Sequence, residues 1–320
     1  MNTKLRVVML ATDGSPSATN AARVAASLAQ EAGAALHVAH IWQLTQASVG
    51  LMADAASWQY TFDLDEQVAR DTLAGVVADL ATVGVPVAEQ HLRRGRPADE
   101  IPALANAIGA DLIVVGSRGL GPVKRLLIGS TAEAVVHSAH RPVLVVRGAV
   151  ADWPPRRVVV GDDASASAAN AVALAATIGG LCEAAGILVR ALPPLPEHLR
   201  LPAPLISQAM QQAQRMETPT SQELRDATIN QAEEELNTRA IAVTEAFGAR
   251  PAVRVLTGGA AEMLLATAED GDGAALIVVG SRGLGLVGRL RLGSVSTTIL
   301  HAATGSVLVV PPSDDKTHEG

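Results

Sequence analysis

The sequence predicts an α/β protein made of two tandem copies of one doubly wound domain, each an open five-stranded parallel sheet with helices on both faces. Three observations carry this expectation. The string LIVVGSRGLG occurs at Leu112–Gly121 and again at Leu276–Gly285, and each copy is followed at the same distance by Gly-Ser, at Gly129-Ser130 and Gly293-Ser294. Strand-like apolar runs alternate with helix-like segments in the same order in both halves, the pattern of a parallel sheet covered on both sides. The length of 320 residues suits two domains of roughly 150 residues, each able to bury its own core.

In the first half, Leu5–Ala11 is a continuous apolar run and reads as the first strand. Ser15-Pro16 then offers a helix cap followed by proline at the first helical position, and an alanine-rich helix runs to Gly33. Ala35–Ile41 reads as a second strand, about Phe62 to Gly84 as a second helix, and Val87–Leu92 as a third strand. Pro97–Ile108 reads as a helix, Leu112–Val115 as a strand, Ser130–Ser138 as a helix and Val143–Val146 as the fifth strand. The second half repeats the order: Val158–Val160, a helix, Ile187–Val189, a long helix ending near Phe247-Gly248, Val253–Leu256, a helix, Leu276–Val279, a helix, and Val307–Val310. Asp13 matches Asp163, Ser15 matches Ser165, Asn20 matches Asn170, Gly95 matches Gly258 and His137 matches His301. The main asymmetry is an insertion within Pro193–Gln231, in the place of Trp42–Asp63, expected as a solvated loop, a lid or a docking element. These matches divide the chain into domains at 1–148 and 156–312, a linker at 149–155 containing Trp153-Pro154-Pro155, and a tail at 313–320.

Composition excludes several classes. The longest apolar runs, such as Val7–Ala11 and Ala274–Val279, fall far short of the roughly 20 residues of a membrane span, and the start of the chain lacks the apolar stretch of a signal peptide. Cys182 is the single cysteine, so no disulfide forms within the chain and a reducing cytoplasm is the expected compartment. Cys182 itself is expected as a small core residue, with a reactive thiol as the alternative. A net charge of −7 and 2% aromatic residues oppose nucleic acid as a partner, since phosphate attraction and base stacking both lack their means.

The chemistry lies in the pattern Gly-x2-Gly-x9-Gly-Ser, present as Gly116, Gly119, Gly129, Ser130 and as Gly280, Gly283, Gly293, Ser294. Glycine lets backbone approach phosphate oxygens closely, and Gly-Ser at a helix start sets a hydroxyl and free N–H groups at the positive end of the helix dipole. Asp13 and Asp163 end the first strand of each half, at the sheet edge where open parallel sheets bind ligands. Each would accept hydrogen bonds from a ribose or cap the following turn. Arg118 and Arg282, with Lys124, Arg125, Arg289 and Arg291, bring positive charge to the phosphate loops or lie solvated on the surface. The chain lacks a Gly-x4-Gly-Lys-Ser/Thr loop, a Gly-x-Ser-x-Gly elbow and a His-Glu-x-x-His motif. His37 and His40 point to opposite faces of a strand, a poor metal arrangement. His137 and His140 end a helix, where they favour its dipole.

On these residues the chain resembles the universal stress proteins in their tandem two-domain form. The resemblance rests on Asp13-Gly14-Ser15, on the doubled glycine motif that marks the ATP-binding branch, and on Gly129-Ser130-Thr131 to Val146 with Gly293-Ser294-Val295 to Val310. It implies two Rossmann-like domains with strand order 3-2-1-4-5 and ATP, with or without Mg2+, between the first and fourth strands. It further implies that Asp13 faces ribose, that Ala11 and Ile41 line the adenine pocket, and that Gly116, Gly119, Gly129, Ser130 and Thr131 hold phosphates. In the second half the same places fall on Gly161, Asp163, Ala191, Gly280, Gly283, Gly293, Ser294 and Val295. There Ala164 replaces Gly14, Asp162 replaces Thr12 and Arg190-Ala191 replaces His40-Ile41, so the second adenine pocket departs from the pattern.

The function expected is a regulatory, stress-adaptive nucleotide sensor with at most slow hydrolysis, because no residue stands out as a general base or partnered nucleophile. An ATPase or nucleotide-transferring enzyme on the same fold is the alternative, as is an interaction scaffold with one or no occupied site. The fifth strands, Val143–Val146 and Val307–Val310, are nearly identical apolar edges. They are expected to pair with each other about a pseudo-twofold axis within one chain or between chains of a homodimer, and a further protein partner stays unnamed.

Overall fold

The structure, a computed structural model, describes residues 4–44, 55–118, 128–148, 152–194, 221–281 and 292–312. In the first half β1 (Val7–Thr12), α1 (Pro16–Ala32), β2 (Ala35–Trp42), α2 (Ala55–Thr82) and β3 (Glu89–Arg94) are followed by α3 (Pro97–Ala107), β4 (Leu112–Gly116), α4 (Ser130–Ser138) and β5 (Val143–Val146). The second half comprises β6 (Arg157–Gly161), α5 (Ala166–Leu181), β7 (Ala185–Leu192), α6 (Ser221–Ala242), the short α7 (Thr244–Phe247) and β8 (Ala252–Thr257). It ends with α8 (Ala260–Glu269), β9 (Ala275–Gly280), α9 (Ser294–Ala302) and β10 (Val307–Val310).

The strands form one ten-stranded sheet in the order β3-β2-β1-β4-β5-β10-β9-β6-β7-β8. Each half therefore has the order 3-2-1-4-5, parallel throughout. The halves join by antiparallel pairing of β5 with β10, with Leu308 opposite Leu144. Residues alternate between the two sheet faces. Val8, Leu10, Leu36, Val38, Leu112 and Val114 pack with α1 and α2, while Met9, Ala11, Ala39, Ile41, Ile113 and Val115 pack with α3 and α4. Because side chains alternate at period two, the same strands supply both cores, and they read as unbroken apolar runs for that reason.

Local signals explain the element starts. Ser15 and Ser165 accept the N–H groups of Ala18 and Ala168 at 3.2 and 3.1 Å and so cap α1 and α5, satisfying donors that have no intrahelical partner. Several boundaries differ from expectation. The third strand lies two residues later than Val87–Leu92, at Glu89–Arg94, because an outer strand is half exposed and does not advertise itself by apolar residues. The second helix begins at Ala55 rather than near Phe62. The long helix of the second half breaks after Ala242, and the extra turn seats Phe247 on Gly179 and Gly186, where a Cβ would come within 2.3 and 2.9 Å of its ring. The insertion is not a loop throughout: Ser221–Gln231 is the first half of α6, and 195–220 lies outside the described residues. Among the described residues no helix is long and apolar enough to cross a membrane.

Candidate functional site

A cleft of about 280 Å³ opens at the carboxyl ends of β1 and β4, where the strand order reverses direction and open α/β sheets take ligands. Its floor is a register row across three strands: Ala11 pairs with Ala39 on one side and with Val115 on the other. Ile41 and Ile101 complete an apolar wall. Small residues in the row keep the recess open, since larger ones would fill it from below.

The polar end is built by the turns after those strands. Asp13 lines the cleft and accepts the Ser15 N–H at 3.0 Å through one carboxylate oxygen. Asp163 does the same with Ser165 in the second half. Capping of the turn is therefore part of both aspartates' work, and it occupies one oxygen of each. Arg118 lines the cleft, with its backbone N–H donating to Ser17 Oγ at 3.3 Å. Gly129, Ser130, Thr131 and Ala132 form the facing rim. The N–H groups of Ser130, Thr131 and Ala132 open α4 and have no acceptor within the helix.

Gly116 is required for space: a Cβ there would lie 2.8 Å from the Ser17 carbonyl carbon, so α1 could not pack where it does. Gly129 and Gly293 do not offer free N–H groups. They donate to Ser117 O at 2.7 Å and Ser281 O at 2.8 Å, which moves the free donors one residue onward. Gly119, Gly283 and Arg282, together with Lys124, Arg125, Arg289 and Arg291, lie outside the described residues.

The second half keeps the glycine-capped helix start and changes the apolar end. Gly280 ends β9, Gly293 caps α9, and Ser294, Val295 and Ser296 form its first turn. Ser296 Oγ donates to Gly280 O at 2.7 Å. At the floor, a Cβ on Gly161 would meet Leu264 Cδ1 at 2.9 Å, and its register partner is Val189 where the first half has Ala39. Ala191 follows on β7, paired with Leu256. On the opposite face Asp162, with a fully buried side chain, is held by Arg190 at 3.1 Å and Arg239 at 2.6 Å. Hydrogen bonds from Arg190 and then Gln231 hold the Glu235 carboxyl below its usual range. His40 occupies the corresponding place in the first half, with Nδ1 2.8 Å from Thr12 O. Ala164 adopts φ +68 where Gly14 has +73.

Sequence reasoning missed one group. His37 and Glu89 are register partners on β2 and β3, and His91 lies two residues beyond Glu89. The three place nitrogen and carboxylate atoms within 4.8 Å of one another. Burial lowers the proton affinity of His91, opposed by Glu89 and assisted by His37 and Arg93. The signal was the alternation Glu89-x-His91 opposite His37, invisible until the strand register is known.

A sequence model of the universal stress protein family matches residues 4–147 and again 155–311. A universal stress protein of Thermus aquaticus is 37% identical over 142 residues, 44% of this chain and 98% of the relative. One from Methanocaldococcus jannaschii is 35% identical over 140 residues, 44% of this chain and 81% of the relative. Among solved structures, a universal stress protein of Archaeoglobus fulgidus superposes with a TM-score of 0.65 at 20% identity, covering 96% of this chain and 98% of that one.

Proposed function

Because the chain belongs to the universal stress protein family, we propose that it is a regulatory, stress-adaptive nucleotide-binding protein whose first half holds ATP in the cleft between β1 and β4. The observation that carries this reading is the polarity of the cleft. An apolar floor of Ala11, Ala39 and Ile41 lies at one end and the unpaired N–H groups that open α4 lie at the other, with Asp13 and Arg118 on its rim. The apolar recess suits a flat base. Asp13 keeps one carboxylate oxygen for a ribose hydroxyl after the other has closed the turn. The N–H groups of Ser130, Thr131 and Ala132, with Arg118, would meet phosphate oxygens at the positive end of a helix dipole.

Hydrolysis, in this proposal, is slow. Asp13 is the one carboxylate among the described residues lining the cleft, and it is already committed to the turn and the ribose. Among the described residues lining the cleft no side chain is then left to take a proton from water, and turnover falls far below the roughly 10 per second of a typical enzyme. The second half offers the same phosphate end above a floor narrowed by Leu264 and Val189, so its site at Gly161, Asp163, Ala191, Gly280, Gly293, Ser294 and Val295 fills second and more weakly. That difference favours one nucleotide per chain at low concentration.

Calorimetric titration of the full chain with ATP, ADP and AMP, with and without Mg2+, tests the proposal. A high-affinity equivalent is expected, weakened about 10- to 100-fold by Asp13→Ala, since a hydrogen bond to a charged group is worth about 1.5–3 kcal/mol. Asp163→Ala leaves that equivalent unchanged. Equal loss in both variants would remove the first-half assignment, and absence of binding at millimolar nucleotide would favour an empty scaffold. Rapid steady-state phosphate release, abolished by Asp13→Ala, would favour an ATPase.

A further inference from the structure

We propose that His37, Glu89 and His91 form a site for one divalent transition metal of the zinc class, separate from the nucleotide cleft. His37 Nδ1 and His91 Nε2 lie 3.0 Å apart, and Glu89 Oε2 lies 3.7 Å from the first and 3.9 Å from the second. Metal–nitrogen bonds of 2.0–2.1 Å at tetrahedral angles set ligand atoms about 3.4 Å apart. All three separations are within about half an ångström of that value, so side-chain rotation alone would close the triangle on an ion. Two imidazoles and one carboxylate also leave a fourth position, which the exposed side of Glu89 turns to solvent.

An ordinary histidine pair explains less. A single N–H shared between the rings would satisfy the two nitrogens, but it leaves the Glu89 carboxylate beyond hydrogen-bond reach of both. Nor does the fold require these residues. The second half is built on the same frame, and at the same register it has Ile187 paired with Ala252, with Arg254 two residues on, none of them a metal ligand. The imidazoles are held by packing, with side chains 13% and 11% exposed, while the carboxylate sits on the outermost strand. Two fixed ligands and one adaptable ligand suit reversible loading. The site shares its sheet face with the cleft: His91 pairs with Ala39, which lines the recess.

The test is calorimetric titration of the chelator-stripped full chain with zinc chloride, alongside His37→Gln, His91→Gln, their double variant, and His140→Gln as a control. One equivalent is expected in the native chain, weakened at least about tenfold by each ligand substitution, lost in the double variant and unchanged in the control. Binding that survives the double substitution, or no saturable binding in the native chain, overturns the site. Should the variants melt early, the native chain loaded with Co2+ decides. Four-coordinate visible absorption with selective broadening of the His37 and His91 proton resonances upholds it, and broadening confined to other histidines overturns it. None of these readouts depends on nucleotide binding.

Discussion

At Ala164 the chain holds a non-glycine residue at φ +68 because Asp162 Oδ1 and Asp163 Oδ1 accept the N–H groups of Ala164 and Ser165 at 2.7 and 3.0 Å. The turn is imposed by these two carboxylates, and the Cβ there costs about 1 kcal/mol. Ala164→Gly is expected to raise stability by roughly that amount in chemical denaturation, partly offset by the greater freedom of glycine in the unfolded chain. A destabilised variant would show that the turn is not strained. Asp162 is the opposite case, a fully buried carboxylate held by Arg190 and Arg239. Removing Arg190 leaves the buried charge with Arg239 and the Ala164 N–H, so Arg190→Met is expected to cost about 1.5–3 kcal/mol, the worth of a hydrogen bond to a charged group, read as a lower denaturation midpoint. An unchanged midpoint would mean that Arg239 compensates alone. Burial, with a smaller contribution from Glu31, pushes the Cys182 thiol up to about 12. Its thiolate is therefore scarce, and alkylation of the native chain at pH 8 is expected to be far slower than that of the unfolded chain.

The elements were legible in the sequence where they were buried and obscure where they were not. Strands β1, β4, β5, β9 and β10 are covered on both faces and betray themselves as apolar runs, and Ser15-Pro16 and Gly129-Ser130 mark helix starts by capping chemistry. The outer strand β3 carries Glu89, Gln90, His91 and Arg93 because half of it meets solvent, and the apolar pattern therefore sets its bounds two residues early. The histidine cluster was hidden by the same cause, since it exists only once β2 and β3 are aligned. Two glycines of the motif have structural roles that spacing does not reveal: Gly116 makes room for α1, and Gly129 spends its N–H on Ser117. The edge pairing, by contrast, followed from the near identity of β5 and β10. Both are now interior strands, so every N–H of either faces a neighbouring strand. Val145→Pro or Val309→Pro removes a ladder donor there and is expected to lower the melting temperature sharply or to separate the halves in solution scattering. Wild-type melting and compactness in both variants would contradict the pairing.

At the scale of the whole molecule, duplication has joined two similar halves through one seam and then let them diverge. The seam is more than the strand pair. Arg147 donates to Ala303 O at 2.5 Å and also to Leu300 O, closing the end of α9 from the other half, and His301 meets Glu133 at 3.1 Å. Each half has thus covered the other's open edge within one chain, which leaves further assembly to other surfaces. Divergence has kept the glycine-capped helix starts in both halves while altering the apolar floor of the second, and among the described residues it has set a histidine cluster in the first half. In this proposal the first-half cleft is the nucleotide site. A crystal structure of the full chain grown with a non-hydrolysable ATP analogue tests it most directly. The base is expected over Ala11, Ala39 and Ile41, the ribose at Asp13, and phosphate oxygens within about 3 Å of the N–H groups of Ser130, Thr131 and Ala132. An analogue bound elsewhere while this cleft stays empty would contradict it.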